Sequence, residues 1–523
     1  MDIFEFFTVY NEVMSLLFTA LYFYQWIYLV IGLVCRIKPD MKEHKYHRYA
    51  VVVAARNEQT VIGQLIDSVK NQNYPSELLD VVVIADNCTD LTAEIAREKG
   101  AYVFERFNKE QIGKGYALEF LFNKINEELS EKNYEGFIVL DADNLLSPDY
   151  VYEINKLYDS GYKVVTSYRN SKNYETNWIS AGYSLWFMRE ARYLNKPRYI
   201  CNTSCAISGT GFLVDKGVID GYGGWKFHLL IEDIQFTCHF ALDGGKIGYA
   251  EKAEFFDEQP VTFRQSWTQR LRWSKGMYQV LGRYGGKLLK KMFGNFSCFD
   301  MMMNITPALI ISIATMLFDI VMIILSFFIP TAFTPWDYTL MFLKTIGFFW
   351  LIMFVIGAVT ALSEWKKIHV GPLRKIWSIF TFPFFMLTFV PIALAALFKK
   401  NVGWKPIKHS IAKTVEDING GKKSAARKKR KKGDDLCDSP AEDITETPAS
   451  EITAEMNPAA EETICAALED TVIDAEENEG QQVTEDFGEN IFACDPEVTE
   501  PQKEDLNQKL KTNSKSDSTE EIA

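Results

Sequence analysis

The sequence predicts an α/β domain with a mostly parallel central sheet, held at a membrane by apolar segments before and after it. Short apolar runs alternate with stretches of helical periodicity from Tyr49 to about Tyr168, as in strands joined by covering helices. Apolar segments of bilayer length flank that region. Beyond it the composition changes. From Asp434 the chain carries 27 acidic and 4 basic residues, a charge of −23, while the net charge of the whole chain is −13. The remainder is therefore basic, at about +10, which suits anionic lipid and anionic substrates and does not call for nucleic acid.

Met14 to Cys35 has no charged residue and is long enough to span. No basic stretch precedes it and no small-residue cleavage site follows, so it reads as an anchor and not as a cleaved signal peptide. Arg36, Lys38, Lys42 and Lys45 follow it, against Asp2, Glu5 and Glu12 before it. This asymmetry places the domain after Cys35 on the cytoplasmic side.

Tyr49–Ala55 is the first strand expected. Val61, Leu65, Ile66 and Val69 then recur at helical spacing. Leu79–Asp86 is a second buried strand. Residues 91–100 form a helix closed by Gly100, and residues 101–106 a third strand. A helix over residues 114–129 precedes the fourth strand, Gly136–Asp143, and Tyr162–Tyr168 is a fifth.

Apolar segments follow at about Ile305–Ile329, Leu340–Leu362 and Ile376–Phe398. The connector Pro330–Thr339 has no Lys or Arg and is expected outside. The basic stretch Glu364–Lys375 is expected inside. The third segment contains Pro383 and Pro391. A single crossing there would put the tail outside, whereas the basic run Lys422–Lys432 favours the inside, so a kinked or re-entrant segment is an alternative. The expected organisation is an anchor (1–36), an α/β domain (46–275), amphipathic interfacial helices (276–302), a membrane region (303–399), a basic juxtamembrane segment (400–421) and a disordered, basic-then-acidic tail (422–523). The cysteines, nine in all, are scattered without a CxxC pair and read as reduced thiols.

Sheets of this kind bind ligands beyond the carboxyl ends of their strands, and polar residues cluster there. "ARNE" supplies Glu58, "ADNCTD" supplies Asp86 and "LDADN" supplies Asp141 and Asp143. Two carboxylates two residues apart at a strand end can share one hard cation, Mg or Mn, together with substrate phosphates. The same residues could equally cap turns. "GKGYAL" presents Lys114 between two glycines at a helix start, where a lysine can reach a diphosphate. It lacks the spacing of a P-loop, and no GxGxxG occurs. "IED" sets Glu232 and Asp233 before an amphipathic helix, as caps or as a general base. In "FRQSWTQRLRW", Gln269, Arg272 and Trp273 fall at i, i+3 and i+4 and share one helical face. That face offers a fork for phosphate and an indole for a sugar ring, or simply snorkels at a membrane surface. Arg270 points elsewhere, toward lipid headgroups or protein.

In this order the motifs "AARNE", "ADNCTD", "GKGYAL", "LDADN", "SGTGF", "IED" and "QRLRW", from Tyr49 to Ser274, resemble those of the membrane-embedded family 2 glycosyltransferases. That group includes hyaluronan, chitin, cellulose and poly-N-acetylglucosamine synthases. The resemblance implies a GT-A fold and inversion at the anomeric carbon. It implies that Glu58 and Asp86 contact the nucleoside, Lys114 and Asp141 the diphosphate, and Asp143 with Asp141 the metal. Asp233 would be the base, Arg272 would stabilise the leaving diphosphate, and Trp273 would stack on the acceptor. Gly209, Thr210 and Gly211 would line the acceptor path, with Glu232 and Gln269 beside it. Ile231 replaces the threonine frequent before Glu-Asp, and "SGTGF" stands where cellulose synthases carry another motif, so cellulose is not the expected product.

The expected activity is metal-dependent transfer from a nucleotide sugar, UDP-linked, to a growing polysaccharide passed through the membrane segments. A non-processive transferase acting on a lipid is the alternative, and "QRLRW" occurs in both kinds. A channel needs more helices than four segments supply, so a homo-oligomer or accessory subunits would have to add them. A non-catalytic sensor or scaffold is a third reading, against which the complete set Asp141, Asp143, Asp233 and Arg272 argues.

Overall fold

β1 (Tyr49–Ala55) is the axis of an eight-stranded sheet. Its alternate side chains feed two cores, Tyr49, Val51 and Val53 on one face and Ala50 and Val52 on the other. A strand buried on both faces reads as an unbroken apolar run, which is why "YAVVVAA" does not alternate. The computed structural model describes residues 3–38, 42–305, 307–329, 334–400, 402–403, 409 and 411–418. The basic run Lys422–Lys432 and the acidic tail lie outside the described residues.

α1 (Ile3–Val34) leads into β1. There follow α2 (Ile62–Lys70), β2 (Leu79–Asp86), α3 (Thr92–Glu98), β3 (Tyr102–Arg106), α4 (Lys114–Glu128) and β4 (Gly136–Asp141). β1, β2, β3 and β4 are mutually parallel, in register Tyr49 to Leu79 and Tyr49 to Gly136. The second half of the domain comprises β5 (Leu145–Leu146), α5 (Tyr150–Asp159), β6 (Val164–Ser171), α6 (Trp178–Glu190), α7 (Lys196–Ile200), β7 (Phe212–Asp215), α8 (Lys216–Gly221), α9 (Glu232–Leu242) and β8 (Ile247–Asp257). The strand order is β3-β2-β1-β4-β7-β6-β8-β5, with β7 antiparallel to both its neighbours and β6 parallel to β8. The fold is thus the expected GT-A type with a mixed, mostly parallel sheet. β5, β7 and β8 are additions to the expected strands.

The long amphipathic α10 (Phe263–Lys291) begins with a capping box at Thr262 and Gln265. It runs without a break through residues 275 and 276, so the expected boundary there falls inside one helix. α11 (Phe296–Ile305), α12 (Pro307–Ser326), α13 (Pro335–Ser363), α14 (Pro372–Leu387), α15 (Phe389–Phe398) and a last turn, α16 (Val415–Ile418), complete the described chain. Among the described residues Glu5–Val34, Pro335–Ser363 and Pro372–Phe398 are long and apolar enough to cross a membrane, and α11 with α12 form a pair bent by 40°.

The apolar C-terminal helices and the sheet share a core. Phe382, Phe385 and Met386 of α14 join Phe137 and Tyr183 in one buried cluster. Gly182 makes this possible, because a Cβ there would stand 2.4 Å from the Phe385 ring. The α14–α15 pair lies on the α/β domain from end to end. Ser378 bonds Tyr174 at 2.6 Å, and Tyr278 and Lys275 of α10 donate to the carbonyls of Ala393 (3.1 Å) and Ala396 (3.4 Å). Arg270 turns inward, not to headgroups. It donates to Phe385 O at 3.1 Å and Thr388 Oγ1 at 2.7 Å, at the joint between the two helices, and stacks on Phe385 and Phe389. Beyond α15 the described residues return to the domain, with Ile411 N on Glu258 (2.9 Å) and Lys413 on Glu175 (2.7 Å). Among the described residues both ends of this apolar segment therefore contact the α/β domain, Arg374 through Glu175 O and Ile411 through Glu258.

A buried latch joins α7, α11 and α1. Arg198 grips both oxygens of Asp300 at 2.8 Å, and the Tyr24 and Tyr28 hydroxyls each donate to the same carboxylate at 3.0 Å.

Candidate active site

The carboxyl ends of β1, β2 and β4 open into a cavity of about 560 Å³. Two asparagines shape its rim. Asn57 and Asn87 take left-handed backbone (φ 57° and 54°) directly after β1 and β2, a conformation that asparagine tolerates. The Asn57 side chain accepts from Thr89 N at 2.8 Å, and that of Asn87 from Asn108 N at 2.9 Å. The strand ends are thereby tied to the loops that follow.

Glu58, Asp86, Lys114, Asp141, Asp143, Gly209, Glu232, Asp233, Gln269, Arg272 and Trp273, widely spaced in the chain, all line this one space. Thr210 and Gly211 are not among the residues that line it. Thr210 is 2% exposed. Its hydroxyl accepts from Asp141 N (2.8 Å) and donates to Asn144 Oδ1 (2.5 Å), so it fixes the turn that carries the two aspartates. Gly211 (φ 71°) packs against Phe255, whose ring leaves no room for a Cβ.

Lys114 Nζ bridges Asp141 Oδ1 (2.5 Å) and Gly209 O (2.8 Å). Burial disfavours its ammonium, but Asp141, Glu232 and Asp233 outweigh burial and hold it above the ordinary lysine range. Gly115 has a packing role: a Cβ there would meet Phe227 O at 2.1 Å. That contact seats α4 against the loop leading to Glu232. Asp143 is 5% exposed and accepts from Glu258 N at 2.8 Å. Burial acts to raise its pKa, yet His409, Lys172, the Glu258 N–H and Arg169 prevail and keep it charged. Among the described residues no three His, Cys, Asp or Glu side chains converge as a metal cage. Two carboxylates, one of them held ionised, fit a cation that takes its other ligands from phosphates and water.

Glu232 and Asp233 start α9, whose N-terminus favours negative charge. Burial and then the neighbouring Asp233 push Glu232 up to about 7, with Lys114 and Arg272 opposing. Burial also raises Asp233, while the N–H groups of Ile234 and Gly209 favour its charged form. Arg272 donates to Leu230 O at 2.8 Å, in the loop just before this pair. Trp273 stands edge-on to Tyr183 and Phe187. The Gln269 amide oxygen is buried without a partner.

Several residues escaped the sequence reading. Arg106 donates to Asp86 Oδ1 at 2.6 Å and orients that carboxylate. Arg169 and Asp257 pair behind Asp143. His409 meets both Glu58 oxygens, at 3.0 and 2.9 Å, so the carboxylate expected on the nucleoside is engaged by the segment after α15. Only Arg106 had a signal, as the last residue of a strand beside "ADN".

Residues 47–276 match the model of a family described as "Glycosyltransferase like family 2". Curated relatives include the beta-monoglucosyldiacylglycerol synthase of Nostoc sp., 29% identical over 266 residues, covering 49% of this chain and 54% of that enzyme. They also include the poly-beta-1,6-N-acetyl-D-glucosamine synthase of Staphylococcus aureus, 24% identical over 288 residues, covering 54% of this chain and 67% of that enzyme. The chain thus spans little more than half of the Nostoc enzyme. Among solved structures, a mannosyltransferase from Pyrobaculum calidifontis in complex with GDP-Man and Mn2+ aligns at a TM-score of 0.45 and 16% identity, covering 75% of this chain and 99% of that one. Residues 47–276 are accordingly a glycosyltransferase family 2-like domain.

Proposed function

We propose that this chain is an inverting glycosyltransferase that moves a sugar from a UDP-sugar, with Mg or Mn, to a hydroxyl of an acceptor lipid. The observation that carries this reading is the continuity of the cavity. Beyond Trp273 it is walled by Phe349, Met353, Phe382, Met386 and Phe389. Such side chains suit an acyl chain and offer a hydrated glycan few hydrogen bonds. The domain would face the cytoplasm, as the charges after α1 require.

In this reading Asp86, oriented by Arg106, and Glu58, once His409 has left it, hold the nucleoside. Asp143 and Asp141 would hold the cation, which when bound offsets charge on the diphosphate. Lys114 can exchange Asp141 for a phosphate oxygen. Asp233 removes the proton of the acceptor hydroxyl as that oxygen attacks the anomeric carbon from the face opposite the leaving UDP, which gives inversion. Arg272 lies where charge grows on the departing diphosphate. Trp273 and the unpartnered Gln269 oxygen position the acceptor.

A second reading, processive polysaccharide synthesis, is supported by Gln269, Arg272 and Trp273 facing the cavity from the helix nearest the membrane segments. Incubating the protein in lipid with labelled UDP- and GDP-sugars and sizing the product separates the two. Label in organic-soluble lipid supports the first, whereas label only in a large lipid-free polymer sinks it.

The carboxylate pair sets the pH dependence. A base works deprotonated, and the Glu232–Asp233 pair sits above the ordinary carboxylate range. kcat/KM is therefore expected to fall on the acid side at a pH above the ordinary carboxylate range. Glu232→Gln removes the like charge next to Asp233 and is expected to move this acid limb to lower pH. A limb that stays in place in the variant would dissociate Glu232 from the titration.

A further inference from the structure

The cavity has a second cationic station that the donor chemistry does not use. Arg189, in the last turn of α6, lines it together with Gln25 of α1. Arg189 Nη2 donates to Gln25 Oε1 at 2.7 Å, and its guanidinium lies 5.1 Å from the Trp186 ring centre. Of the nearby arginines, Arg272 is placed at the donor diphosphate and donates to Leu230 O, and three others are neutralised. Arg198 grips Asp300, Arg169 pairs with Asp257 and Arg106 with Asp86. Among the described residues no carboxylate forms an ion pair with Arg189. The adjacent Glu190 instead accepts from the Ser208 hydroxyl at 2.7 Å. Arg270 also lacks a carboxylate, but aromatic rings and a carbonyl cover it, and it does not line the cavity.

A partly desolvated cation costs free energy unless something compensates it. Burial lowers the Arg189 pKa, and Glu190 and Tyr24 oppose this only in part. A guanidinium presents a planar fork that matches the oxygens of phosphate. Gln25 fixes one arm of the fork and leaves the rest toward the cavity. The same cavity is lined by the carboxylates and Trp273 and by the Phe and Met side chains of the apolar helices.

We propose that Arg189, oriented by Gln25, binds the phosphate of the acceptor, which is an anionic phospholipid bearing a headgroup hydroxyl, and so selects it over a neutral diacylglycerol. This rests on the lipid reading above. The hydroxyl end of the headgroup reaches Asp233, the phosphate stops at Arg189 and the tails occupy the apolar part. Arg189 is here a specificity residue and takes no part in the bond exchange.

The test uses the full chain in phosphatidylcholine vesicles containing either phosphatidylglycerol or diacylglycerol, with labelled UDP-glucose, UDP-galactose and UDP-N-acetylglucosamine in turn. Label is expected to enter phosphatidylglycerol in preference to diacylglycerol. Arg189→Gln is expected to reduce that preference roughly tenfold to a hundredfold, as loss of a charge-assisted bond does. Arg189→Lys should keep part of it. UDP binding, followed by protection against thermal unfolding, should be the same in all three proteins and reports that they fold. A wild type that favours diacylglycerol, or a preference that survives Arg189→Gln, overturns the proposal while lipid glycosylation stands. Polymer as the sole product overturns both.

Discussion

Asp233→Asn is expected to bind UDP as the unaltered protein does and to lose about two to four orders of magnitude in kcat. The amide keeps the size of the side chain and its place at the start of α9 but cannot accept a proton. Lys114 and the strand-end carboxylates are untouched, so nucleotide affinity measured by titration serves as the control. Glu232→Gln provides the comparison within the same pair. It should slow the reaction far less, because Glu232, pushed up to about 7 by burial and by Asp233, is not the group that takes the acceptor's proton. Product formation at the unaltered rate in Asp233→Asn would remove Asp233 from the role of base.

The second large effect is on stability. Asp300→Ala is expected to cost about 3–5 kcal/mol, since it leaves the buried Arg198 guanidinium without a counter-charge. The hydroxyls of Tyr24 and Tyr28 lose their acceptor in the same step. A loss of this size is a large share of the ~5–15 kcal/mol by which domains are stable. It should appear as a marked drop in the thermal unfolding midpoint in detergent. Replacing both partners, Arg198→Met with Asp300→Leu, is expected to recover much of the loss, because no lone charge then remains buried. A single variant that melts with the unaltered protein would show that the latch carries little of the stability.

The parallel half of the fold was legible because each strand there is buried on both faces and reads as an apolar run. β7 and β8 were not. β7 has four residues between a glycine loop and a helix, and β8 carries Glu251, Lys252 and Glu254 within its length. Their pairing comes from the sheet and not from local pattern. The site was legible where chemistry sits at strand ends: Asp86, Asp141 and Asp143 needed only a strand before them. The structural part played by Thr210 was not legible, because a glycine-flanked threonine looks like a ligand contact, whereas its hydroxyl bonds Asp141 N and Asn144. Arg189 and His409 left no trace in the sequence. The partner of one lies on α1, that of the other at the end of β1, and such long-range encounters have no local spacing.

If Glu58 holds the nucleoside, as proposed, its contact with His409 makes donor affinity depend on the chain that follows α15. A nucleotide that uses Glu58 binds only the fraction of molecules in which His409 has withdrawn, and its apparent dissociation constant is divided by that fraction. The segment carrying His409 continues from α15, and α15 is held at its start by Arg270 on Thr388. On that reading a lipid that draws His409 off Glu58 changes the apparent nucleotide affinity without touching a nucleotide ligand. Reciprocity then requires bound nucleotide to change the affinity for that lipid by the same factor.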